Sequence, residues 1–115
     1  MSYIYHIAVG DKWSAAQATD LYRAESLTVE GFIHCSTSEQ LLGVANDLYA
    51  GQEGLVLLEI DPVKISTEIR HEDCYNTGQS FPHIYGPLPV ESVIRVIDFS
   101  PGEDGRFDHH LPQGK

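Results

Sequence analysis

The sequence predicts an α+β domain with more strand than helix. Three observations carry that prediction. Residues 3–9 alternate, with Tyr3, Tyr5, Ile7 and Val9 on one face and Ile4, His6 and Ala8 on the other. Residues 55–60 form a near-continuous apolar run, which suits a central strand. Leu41, Val44, Ala45 and Leu48 repeat at helical spacing behind a start rich in hydroxyls.

The elements follow in chain order. Residues 3–9 read as a strand. Asp11 can cap a helix running through Trp13, Ala16 and Leu21. Residues 24–30 form a connector, and residues 32–35, in GFIHCSTSEQ, a short strand. Thr37 with Gln40, and Ser36 with Glu39, each fit the hydroxyl-x-x-Glu/Gln box that starts a helix. The segment Gly51-Gln-Glu-Gly54 is a turn, residues 65–72 a turn followed by a strand near Ile69, and residues 73–82 a loop. Pro87 and Pro89 bracket a tight connection. Residues 90–93 fit one helical turn, and residues 94–99 a last strand. From Pro101 the chain is polar with Gly and Pro, so the expected division is one domain over residues 1–100 and a loose tail over 101–115.

The bulk numbers narrow the function. A chain of 115 residues suits one domain, large enough for its own core. Two cysteines, Cys35 and Cys74, make no disulfide framework and are expected as thiols. No apolar run is long enough for a bilayer, and MSYIYHIAVGDKW lacks a basic n-region and a cleavage site, so the expected location is the cytoplasm. Seventeen acidic residues against seven basic ones leave a formal charge of −10. Affinity for nucleic acid rests largely on Lys and Arg neutralising phosphates, so DNA, RNA and anionic membranes are poor partners. A small anionic ligand stays compatible with the composition, because one Arg and a helix N-terminus can hold a phosphate. Sequence alone leaves the oligomeric state open.

Candidate chemistry gathers in two stretches. In an extended GFIHCST segment, His34 and Ser36 share one face and Ile33 and Cys35 the other, which makes Cys35 a core thiol and turns His34 outward. Capping accounts for about two of the three hydroxyls of Ser36, Thr37 and Ser38. It leaves His34 unexplained, beside a helix start suited to negative charge. In FPHIYGPL, His83 and Tyr85 share a face of a segment stiffened by proline, either closing the sheet or lining a pocket. His6 stands with Ile4 and Ala8. A lone strand histidine is more often structural, yet a cleft would bring His6, His34 and His83 together. His71-Glu-Asp-Cys74 is a single H-x-x-C without a second ligand pair, and His109-His110 falls in the tail, so no metal is expected. Glu72 and Asp73 read as a solvated face.

IYHIA, Trp13, SLTVEGFIHCSTSEQ, LLEID and FPHIYGPL together resemble the small bacterial proteins grouped as domain of unknown function 952, over about residues 3–99. That family is similar in fold to the ADP-ribosyltransferases. The resemblance implies two small, mostly antiparallel sheets facing each other, flanking helices, and a cleft between the sheets that takes NAD. It implies that His6 contacts the ribose and that the Ser36-Thr37-Ser38 run echoes a second motif. A third position carries a catalytic Glu on a later strand. No Glu stands at the matching place here; FPHIYGPL offers His83 and Tyr85, with Glu72 and Glu91 nearby in sequence.

Two functions follow as expectations. One is an enzyme acting on NAD or an ADP-ribose-like substrate: His34, His83 and Tyr85 as catalytic groups, His6 on the ribose, Arg23 of LYRAESL on the pyrophosphate, and Ser36 and Thr37 at the phosphate-receiving helix start. The other is a module that binds a metabolite, or a partner protein, without turnover.

Overall fold

The alternation at the N-terminus becomes β1 (Ile4–Val9), and the apolar run becomes β4 (Leu55–Ile60), its antiparallel neighbour. The computed structural model describes residues 3–73 and 76–107. Between those strands come α1 (Gly10–Ala16), β2 (Leu21–Tyr22), α2 (Glu25–Val29), β3 (Ile33–His34) and α3 (Leu41–Leu48). After β4 come β5 (Glu68–Glu72), β6 (Phe81–Tyr85), β7 (Leu88–Pro89) and β8 (Val93–Phe99). A 3-10 turn over Val90–Ser92 precedes β8. Among the described residues no helix is long and apolar enough to cross a membrane.

The architecture is α+β and the paired strands are antiparallel, in three sheets: β1-β4-β8, β3-β6-β5 and the short ribbon β2-β7. The first sheet is covered on both sides at β1 and β4, while most of the edge strand β8 is open to solvent. Ile4, Ala8, Leu58 and Ile60 meet Ile33 and Ile84 of the β3-β6-β5 sheet, together with Trp13, Tyr22 and Leu88. Tyr5, Ile7, Leu55, Leu57 and Phe99 meet Leu41 and Ala45 of α3, and Phe107. This layering matters for function. Among the described residues the space between the two three-stranded sheets is filled by core side chains, in place of the expected open cleft.

Local chemistry explains most departures from the expected elements. Asp11 lies in the first turn of α1 and does not cap it; Val9 holds the cap position. The helix stops at Ala16 because the Thr19 hydroxyl turns back to the carbonyls of Ala16 and Leu21 (both 3.0 Å) and Asp20 adopts φ +66°. Leu21 therefore joins β2. The connector contains α2, which ends at Gly31: its φ of +93° lets its N–H reach the Leu27 carbonyl (3.1 Å) and redirects the chain into β3. Phe81–Tyr85 is the middle strand of its sheet, although Pro82 argued for a loop. The Pro82 carbonyl accepts from Cys35 N–H (3.0 Å), and a residue's N and O point to the same side of a strand. The missing donor thus faces the end of the very short β3, where the ladder stops.

Residues 101–107 are not a loose tail. Phe107 is buried and stacks on Phe99 with ring centroids 4.6 Å apart. Asn46 clasps the Phe107 backbone at both N–H (2.7 Å) and carbonyl (3.0 Å). One aromatic residue in a polar stretch anchors the segment. Residues 108–115, including His109-His110, lie outside the described residues, as does Cys74 of the H-x-x-C motif.

Candidate functional site

The GFIHCSTSEQ stretch changes sheets. Ile33 and His34 pair with Ile84 and His83 of β6, and two residues on Ser36 bridges Tyr5 of β1 through reciprocal 2.8 Å backbone bonds. Because it crosses over, Ser36 is buried and does not share an exposed face with His34. The expected capping box closes the turn ahead of α3 and does not cap the helix: the Thr37 hydroxyl accepts from Gln40 N–H (3.3 Å) and the Gln40 side-chain oxygen from Thr37 N–H (3.1 Å), while Gln40 itself holds the cap position of α3 without a side-chain cap. Both residues serve local structure and neither touches the histidines. Cys35 is buried in the core between the sheets, where burial pushes its thiol far up.

Register then builds a polar face. His34, His83 and Arg70 stand directly opposite one another across β3, β6 and β5, as do Ile33, Ile84 and Ile69. The isoleucines pack into the core, so by alternation Phe32, His34, Arg70, Glu72, His83 and Tyr85 occupy the outer face. The Phe32 ring stacks on His83 at 4.1 Å, with His34 at 4.9 Å and Tyr85 at 5.3 Å. The predicted groups His34, His83 and Tyr85 are thus together, but on the outside of a sheet.

Glu72 links them. Its Oε1 accepts from the Tyr85 hydroxyl (2.6 Å) and from His83 Nδ1 (3.0 Å). A carboxylate only accepts, so in this bond His83 Nδ1–H is the donor. The Tyr85 hydroxyl, and after it the His83 ring, hold the Glu72 carboxyl below the usual carboxylate range. Arg70 lies over the Tyr85 ring at 4.8 Å, approaches Glu72 (3.9 Å) and bonds Glu68 through Nε (2.8 Å) and a second guanidinium nitrogen (3.1 Å). His34 Nε2 meets Glu30 at 3.1 Å. Two carboxylates beside one guanidinium, Glu68 and Glu72, and a third, Glu30, on His34 make this face an acceptor of hydrogen bonds. His83 itself is covered, its side chain only 2% exposed, whereas His34 is 38% exposed.

The other predicted ligands lie elsewhere. His6 is buried between the sheets with both ring nitrogens engaged: Nδ1–H donates to the His34 carbonyl (2.6 Å), and Nε2 accepts from the Tyr22 hydroxyl (3.0 Å). Burial lowers its pKa to about 4. It therefore meets His34 only through the backbone, and the three histidines do not share one cleft. Arg23 is exposed and lines a separate depression with Lys12 and Tyr22. Sequence reasoning missed Glu72, Arg70 and Phe32. Their signal was the alternation in EIRHE around Ile69, and in GFIH around Ile33; which strands would pair was not visible. Among the described residues no three His, Cys, Asp or Glu side chains converge as a metal-binding group.

Fold and site together define a small α+β protein of three antiparallel sheets, with a histidine–tyrosine–carboxylate cluster on an outer sheet face. Residues 7–96 match the family described as "Protein of unknown function (DUF952)", and the chain belongs to that family. The crystal structure of protein CC0527 from Caulobacter crescentus is 32% identical and superposes with a TM-score of 0.84, over 93% of this chain and 94% of that one. The solution NMR structure of CC0527 gives 33% identity and a TM-score of 0.75, over 92% and 91%. Among curated proteins none matches the chain.

Proposed function

We propose that the protein binds a small polar ligand on the outer face of the β3-β6-β5 sheet, with NAD or an ADP-ribose-like molecule as the class to test first. The observation that carries this reading is the Glu72 carboxylate, held by Tyr85 and His83 beside the Phe32 ring. A core would bury aliphatic side chains here; this face instead groups rings with ionised acceptors. Carboxylates of this kind accept hydrogen bonds from sugar hydroxyls, and exposed rings such as His34 stack on a base or a pyridinium. Arg70 is already committed to Glu68, so a pyrophosphate would gain little here. The ligand would be held by its ribose and ring end.

Binding without turnover is favoured over catalysis by two facts. His83 is covered, and Glu72 Oε1 already takes two hydrogen bonds. An enzyme would need the Phe32–His83 stack to open before the His83 ring could meet a substrate.

The test is a thermal-shift titration with NAD, ADP-ribose, nicotinamide and nucleotides, on wild type, His34→Ala and Glu72→Gln. A ligand at 100 times its Kd adds about 2.7 kcal/mol, which raises the midpoint by roughly ten degrees in a domain this small. A shift that both variants lose supports the outer face. Release of nicotinamide from NAD supports turnover. No shift with any of these compounds counts against the nucleotide class, and unfolding of His34→Ala makes that residue structural.

A further inference from the structure

A second, unassigned feature lies where α1 turns into β2. Lys12, Ala15, Ala16, Thr19, Leu21, Tyr22 and Arg23 line a cavity of about 410 Å³ that opens to solvent. Its floor is apolar, made by the two alanines, Leu21 and the Tyr22 ring. The Tyr22 hydroxyl is taken up by His6, so the floor offers a ring face and not a polar atom. The Thr19 hydroxyl is likewise spent on the Ala16 and Leu21 carbonyls. What remains polar is the cationic pair at the rim.

That pair is unusual for this chain. Only seven residues are Lys or Arg against seventeen Asp and Glu, yet two of the seven line one cavity. Neither Lys12 nor Arg23 makes an ion pair among the described residues, as Lys64 and Arg106 make none, whereas Arg70 and Arg95 each hold a carboxylate; what sets Lys12 and Arg23 apart is that they line one cavity. Asp11, Asp20 and Glu25 adjoin them in sequence, and none of the three lines the cavity. Two cations that line one cavity without an ion-pair partner among the described residues leave a place for negative charge from outside. An Arg fork matches phosphate or carboxylate oxygens in pairs, and a Lys adds a point charge.

We infer that the Lys12–Arg23 cavity binds an organic dianion with an apolar body, of the phosphate monoester class. The two cations balance the charge of a phosphate monoester, and the alanine–leucine–tyrosine floor covers its hydrocarbon part. The outer face of the β3-β6-β5 sheet shares none of the lining residues, so this site stands whether or not that face binds a nucleotide.

The experiment titrates phenyl phosphate into the 15N-labelled full chain and follows the backbone amides. The expected result is saturable shifts confined to residues 12–23, with apparent affinity at least tenfold weaker in Lys12→Gln and in Arg23→Gln. Both are exposed positions, and each variant should keep the wild-type spectrum outside this region. Lys64→Gln and Arg70→Gln, which remove cations outside the cavity, should leave the affinity unchanged. An equal loss in Lys64→Gln would reduce the effect to net charge and overturn the proposal. Loss in Arg70→Gln, or shifts on β3, β5 and β6, would assign the binding to the outer face and overturn it equally. Inorganic phosphate binding as tightly as phenyl phosphate would refute the apolar floor. No saturable shift would remove the site.

Discussion

His6 makes the pH dependence of stability predictable. Its imidazole is 7% exposed, and neutral bonding is complete: Nδ1–H to the His34 carbonyl, and the Tyr22 hydroxyl to Nε2. Desolvation is the main reason its pKa falls from 6.5 to about 4. The sign follows from linkage. The unfolded chain takes up a proton near pH 6.5 and the folded one only near pH 4, so the contribution is fully present above pH 6.5 and is lost as pH falls toward 4. At about 1.4 kcal/mol per pH unit of difference, the loss amounts to roughly 3 kcal/mol, a large part of a small domain's stability. The assay is urea unfolding at pH values from 7.5 to 4.5, in wild type and His6→Gln. Trp13 is the single tryptophan and is buried 6.0 Å from the Tyr22 ring, so its fluorescence reports the region directly. Wild type should lose most of that amount by pH 4.5. His6→Gln, whatever its stability at pH 7.5, should show a slope shallower by the same amount, because both chains share every other titrating group. Equal slopes in the two chains would refute the reasoning, as would a slope difference of the opposite sign.

Three further outcomes test the packing and the site. Phe107→Ala should cost about 3–5 kcal/mol in urea unfolding, since the ring is buried against Phe99; a loose segment would give no change. Glu59 is fully buried and takes hydrogen bonds from Tyr5 (2.7 Å) and from Arg95 (2.9 Å), whose side chain is 41% exposed. Arg95→Ala strands a buried charge and should cost about 3 kcal/mol, more than Glu59→Gln, which frees an arginine that can turn into water; the reverse order in denaturation would contradict this account. The Glu72 carboxyl, followed by 13C NMR, should titrate below an ordinary glutamate and move back toward it in Tyr85→Phe, because the Tyr85 hydroxyl is the leading cause of the shift. An unchanged titration in that variant would mean the hydroxyl bond is not formed in solution.

The site was half legible. His34, His83 and Tyr85 were picked out as reactive types on extended segments, and register does bring them together. Local spacing makes Ser36 and Thr37 candidates both for capping and for ligand binding; in the fold Thr37 closes the turn before α3 with Gln40, and the Ser36 backbone bridges to β1. The expectation that Arg23 meets a phosphate in the same cleft as the histidines does not hold, because Arg23 lines a different cavity.

By itself the sequence determined the α+β class, the strands at β1, β4 and β8, the Thr37–Gln40 pairing ahead of α3 and the inward direction of Cys35. Each of these follows from local rules: side chains alternate on a strand, apolar runs are buried, and a hydroxyl reaches only three residues ahead. Tertiary structure decided which strands pair. That choice set His34 beside His83, moved Glu72 from a solvated run onto Tyr85 and His83, buried His6 between the sheets, and docked Phe107 on Phe99. These contacts join residues 11 to 49 positions apart in most cases, and pairing over such separations depends on burying many faces at once, which no short stretch of the chain encodes.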